Sequence, residues 1–129
     1  MQTLKFTIEL TVVHSQVDTF KKLVKEMNAT VKCNEPETMQ CQWFFHEGDD
    51  KWYLTEMFAD SNAFLKHLEN LGAKFEELLE IAEVGRFEVF GNLSHSAKFA
   101  IASFGVKYFT YWDGVTREPA GNNFSTFLR

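Results

Sequence analysis

Two kinds of periodicity alternate along this chain, and their order restricts its fold more than any other feature. Residues 4–12 carry Leu4, Phe6, Ile8, Leu10 and Val12, with Lys5, Thr7, Glu9 and Thr11 between them. A period of two fits a strand with one buried face. From Ser15 the spacing changes, and Val17, Phe20, Val24, Met27 and Val31 recur at helical intervals, with Lys21, Lys22 and Lys25 on the outer side. Ser15 followed by Asp18 reads as a weak capping box. Pro36 ends the helix, because the residue before a proline avoids the α region.

The period of two then returns twice. Residues 38–46 place Met39, Cys41, Trp43 and Phe45 on one face, Glu47-Gly48-Asp49-Asp50 makes a turn, and residues 51–58 form the partner strand of a hairpin. A helix is expected from about Ser61 to Leu71, interrupted at Gly72 and resuming to Val84, with Phe75, Leu78, Leu79 and Ala82 inward and Glu76, Glu77, Glu80 and Glu83 wet. Gly85 should end it, and residues 86–92 should form a fourth strand. The order β-α-β-β-α-β is the ferredoxin-like signature of an α+β domain with an antiparallel sheet. An extra C-terminal helix over 94–104 and a fifth strand over 106–112 follow. Residues 1–117 thus read as one domain and residues 118–129 as a tail.

Charge and cysteine usage exclude several function classes. The net charge is −5 with no basic stripe, unlike the Lys and Arg footprint that phosphate backbones select. Cys33 and Cys41 form neither a CxxC nor a Cys/His set with zinc spacing, so reduced thiols in a cytoplasmic protein are expected. The first thirteen residues alternate rather than forming an apolar run, so no signal peptide is expected, and no apolar stretch is long enough to span a membrane. GxGxxG, P-loop, GxSxG and HExxH motifs are missing from the sequence.

The stretch from Trp52 to Leu68, WYLTEMFADSNAFLKHL, resembles the strand–turn–helix of the antibiotic biosynthesis monooxygenase-like family. That pattern is an apolar strand ending in Glu-x-aromatic, a polar turn, and a helix bearing a His; Glu56, Phe58 and His67 match it. With the strand order, the similarity covers roughly residues 3–92. It implies a dimeric α+β barrel, a homodimer whose two sheets face one another, with a pocket between each sheet and its helices. It also implies that no metal, flavin or haem cofactor is needed. The family's haem-degrading branch uses an Asn on the first strand, a Trp at the end of the third and a later His. Here Thr7 and Glu9, Phe58 and Phe75 stand there, which counts against haem degradation.

Among the residues themselves, Glu56 shares a strand face with Trp52, Leu54 and Phe58, while His67 shares a helical stripe with Phe64, Leu68 and Leu71. Both should therefore point into the layer between sheet and helix, where an unpaired polar group is costly. A buried acid beside a buried imidazole makes either a general acid/base pair or a structural hydrogen bond. Trp52, Phe58 and Phe64 are the expected lining of an adjoining cavity, and Tyr53 is a further substrate-binding candidate. His14, His46 and His95 read as surface residues, and no metal site is expected. Taken with the resemblance, three functions are open: cofactor-independent oxidation of a small aromatic or quinone-like molecule, non-catalytic small-molecule binding or a stress-related role by a dimer of the same fold, or a purely structural assembly module. A small apolar ligand and a second copy are the expected partners, with neither nucleic acid nor membrane.

Overall fold

The computed structural model describes residues 3–117; the expected tail over 118–129 lies outside the described residues. Eight elements follow in order: β1 (Leu4–Val12), α1 (Val17–Asn34), β2 (Thr38–Phe45), β3 (Lys51–Phe58), α2 (Ser61–Ile81), β4 (Ala82–Phe90), α3 (His95–Ala100) and β5 (Lys107–Phe109). Short 3-10 turns at His14–Gln16 and Ala102–Phe104 precede α1 and follow α3. The sheet runs β2-β3-β1-β4-β5. Its first four strands pair antiparallel, giving the ferredoxin-like α+β fold expected from the two periodicities.

Alternation along β1 does what it promises: Leu4, Phe6, Leu10 and Val12 are all buried. Ile8 faces Leu54 across the β1–β3 pair, and Phe6 faces Glu56. Helices α1 and α2 cover this side of the sheet through Phe20, Leu23, Val24, Met27 and Val31 and through Phe64, Leu71 and Leu78. At the centre, the Phe6 ring lies 5.2 Å from Phe58, 4.5 Å from Phe64 and 6.1 Å from Phe87. Side chains of that size each contribute roughly 1.5–3 kcal/mol when withdrawn from water.

Several boundaries differ from those expected. Helix α1 starts after a 3-10 turn and has no side-chain cap, so Ser15 does not close a capping box. Helix α2 is continuous through Gly72. A glycine costs about 1 kcal/mol against alanine in a helix, less than the burial of Leu71 and Leu78 on either side provides. The same helix stops at Ile81, not at Gly85, because Ala82, Glu83 and Val84 pair with Val12, Thr11 and Leu10 of β1. Ladder bonds to a central strand outweigh the helical propensity of Glu83. Strand β5 is only three residues long and runs parallel to β4, so the added strand is an exception in an otherwise antiparallel sheet. No helix among the described residues is long and apolar enough to cross a membrane.

Candidate functional site

Three buried polar residues meet where α1 ends, α2 passes and β3 runs beneath: Glu35, Glu56 and His67. Alternation turns Glu56 inward from β3. Asp60 caps α2 by accepting the Ala63 N–H at 2.8 Å, which fixes where the helix starts and carries His67 over the sheet. The imidazole Nε2 lies 2.9 Å from Glu56 Oε2, and Nδ1 lies 2.7 Å from Glu35 Oε1. The expected pairing of Glu56 with His67 is therefore present as a direct contact, and a second carboxylate joins it.

Glu35 is the residue that the sequence reading missed. It follows Met27 and Val31 at successive intervals of four, so it extends the buried stripe of α1. Its position before Pro36 takes it out of the helix, to φ −132° and ψ 72°. Glu35 Oε1 also accepts the Thr38 hydroxyl at 2.8 Å, while its Oε2 is buried without a partner among the described residues. The Cys41 thiol donates a long hydrogen bond of 3.9 Å to Glu56 Oε2.

The electrostatics follow from this arrangement. Burial alone would drive the His67 proton off, but the hydrogen bond and charge of Glu56, then those of Glu35, outweigh it and raise the pKa above its ordinary 6.5. Burial, followed by the charges of Glu56 and Glu35, pushes the Cys41 thiol well up, so it stays protonated. The rings of Phe58 and Phe75 lie 5.1 Å and 5.5 Å from the imidazole and exclude water from it.

Glu56 and His67 form the polar pole of a pocket of about 130 Å³ between sheet and helices. Its walls are otherwise apolar: Ile8, Leu10 and Leu54 from the sheet floor, Phe64 and Phe75 from α2, and Phe104 from the turn after α3. Of the lining residues expected from the sequence, Phe64 borders this pocket and three do not. Phe58 is fully buried against Phe6, Phe64 and the imidazole. Trp52 packs on Phe20 at 4.9 Å and Phe45 at 5.2 Å, toward the other end of β3. Tyr53 points from the opposite sheet face and donates its hydroxyl to Glu9 Oε2 at 2.9 Å; neighbours on a strand cannot share a face. The pocket walls come instead from residues that the sequence reading had placed in the core, and from the segment after β4.

The other histidines stay at the surface, His46 beside Asp49 at 3.1 Å. Among the described residues no group of three or more His, Cys, Asp or Glu side chains has an arrangement that holds a metal ion.

No protein-family model matches the chain, and no curated protein matches it. Solved structures do match. MupZ from Pseudomonas fluorescens superposes with a TM-score of 0.80 at 18% identity, over 91% of this chain and 96% of that one. A putative antibiotic biosynthesis monooxygenase from Caulobacter crescentus gives 0.58 at 17% identity, over 66% and 86%. SnoaB, a cofactor-independent oxygenase from Streptomyces nogalater, gives 0.61 at 15% identity, over 73% and 96%. The chain has the fold of the antibiotic biosynthesis monooxygenase-like proteins, as the strand–turn–helix motif implied.

Proposed function

We propose that this protein, on the fold it shares with the monooxygenase-like proteins, is an enzyme that oxidises a small molecule with dioxygen and without a cofactor. The observation that supports this reading is the 2.9 Å contact of Glu56 with His67 in the wall of an apolar pocket. Two carboxylates stand at the two nitrogens of one buried imidazole, and of the two only Glu56 also borders the pocket. Glu56 is therefore the group placed to act as base. Glu56 Oε2 is engaged by His67, which leaves Oε1 as the oxygen to meet a substrate.

In this mechanism Glu56 takes the proton from an acidic C–H, and the carbanion passes one electron to dioxygen. Recombination of the radical pair, with return of the proton, forms a C–OOH bond. At a CH₂ centre the hydroperoxide loses water to give a ketone, so one oxygen atom enters the product and one leaves in water. The protein supplies a base and a dry site. The test is oxygen uptake by purified protein with a series of quinols and phenols and no added cofactor. Uptake is expected, and Glu56→Gln should abolish it while ligand binding survives. No uptake with any ligand that binds, or full uptake in Glu56→Gln, overturns the reading.

A second reading, non-catalytic binding by the same pocket, is favoured by one observation: both imidazole nitrogens are used within the protein. Saturable ligand binding with no oxygen consumed and no product formed would select it. Under either reading the chain works as a homodimer through the sheet face away from the helices, where Phe44, Tyr53, Phe90 and Phe109 are exposed. Both cysteines are free thiols, which supports a reducing, cytoplasmic setting.

A further inference from the structure

The pocket is small, and its polar pole offers only an acceptor. An engineered apolar cavity of about 150 Å³ holds one benzene ring, whereas pockets for drug-sized ligands span roughly 300–1,000 Å³. At about 130 Å³ this pocket matches one six-membered ring more closely than fused rings. Its chemistry is equally restrictive. His67 spends Nδ1 on Glu35 and Nε2 on Glu56, so neither nitrogen is available to a ligand. Among the described residues Glu56 is the other polar residue bordering the pocket, and a carboxylate offers acceptor oxygens. A ligand must bring its own donor, and an anion would meet like charge in a dry site.

We infer that the pocket selects a neutral, monocyclic molecule bearing one O–H or acidic C–H directed at Glu56, and that the turn after α3 sets the size limit. This rests on the pocket being the substrate site proposed above, and it narrows the aromatic or quinone-like class to single rings. The limit is assigned to Phe104 because of where it stands. Ile101, 3% exposed, anchors the end of α3, and the Phe104 ring packs 5.9 Å from Phe87 of β4, across the pocket wall. Removing that ring joins its volume to the cavity without touching Glu56 or His67.

Calorimetric titration of the full chain with phenol, toluene, benzoate and 2-naphthol tests this. Phenol should bind saturably. Toluene lacks the donor, benzoate carries a charge and 2-naphthol has a second ring, and each should bind about tenfold more weakly or worse. In Phe104→Ala, 2-naphthol should gain about tenfold relative to phenol; Phe104→Leu, a smaller perturbation, should move the same way by less. Naphthol or benzoate binding the native chain as tightly as phenol overturns the inference, as does failure of phenol to bind at millimolar concentration. The size series on the native chain decides the matter even if both variants fail to fold. Binding in the expected order without oxygen uptake would sink the oxygenase reading alone. Uptake with a fused-ring quinol would sink the single-ring limit alone.

Discussion

An imidazole withdrawn from water ordinarily gives up its proton, since the charged form loses most by burial. His67 does the reverse because Glu56 and Glu35 stand at its two nitrogens. This has a consequence for stability with a definite sign. A folded pKa raised above the unfolded value contributes stability that is complete below about pH 6.5 and is lost as the pH climbs through the folded value. Each unit of elevation is worth about 1.4 kcal/mol. Thermal unfolding of the native chain between about pH 6 and 9 should therefore show a falling Tm, and His67→Gln should remove that part of the slope. Equal slopes in the two proteins would show that the imidazolium is not held as described. How much of this was legible depends on the residue. Alternation on β3 and the stripe of α2 placed Glu56 and His67 without ambiguity. Glu35 lay hidden at the end of a helix, because a carboxylate beside a proline reads as a wet terminus unless the interval of four is followed one step further.

At the scale of elements, β1 and β3 have the bounds read from the sequence: β1 is an unbroken run of alternating residues, and β3 lies between the Glu47–Asp50 turn and the Asp60 cap of α2. The junction of α2 and β4 was misplaced because Gly85 looks like a helix terminator and is a strand residue. It sits beside the register shift between Ile8 and Leu10, where the Glu9 carboxylate lies across its α-carbon: a Cβ there would run into Glu9 Oε1. That carboxylate also accepts the Tyr53 hydroxyl. Gly91, just past β4, has φ 118°, and a Cβ there would come within 2.9 Å of Leu4 Cδ2 and 3.2 Å of the Thr3 carbonyl. Two outcomes of different size follow. Gly91→Ala meets both a forbidden φ and backbone, and should cost about 1–3 kcal/mol in denaturant unfolding. Gly85→Ala meets the end of a flexible side chain, which can swing away, and should cost less. Equal losses would show that the Glu9 carboxylate is fixed more firmly than a hydrogen bond to an exposed tyrosine can hold it.

The whole molecule divides its sheet between two environments. One face is sealed by α1 and α2 and contains the site. The other leaves Phe44 beside Tyr53 on β2 and β3, and Phe90 stacked on Phe109 at 5.0 Å on β4 and β5. A dimer closed through this face should scatter light as about twice 15.0 kDa at micromolar concentration, and Phe44→Glu with Tyr53→Glu should halve that mass. A native chain of monomer mass rejects the arrangement.

The direction of the last strand reaches further than its three residues suggest. A strand that lies antiparallel to its predecessor can be joined to it by a tight hairpin at the sheet edge, whereas one that runs parallel obliges the chain to travel back over a face before it can begin. Here that return journey is α3 and its 3-10 turn, and its Ala100, Ile101 and Phe104 line one side of the pocket. That wall of the pocket is thus a by-product of strand polarity. Lengthening or trimming this return path alters what the chamber admits while the sheet, the two long helices and the acid–imidazole pole stay as they are.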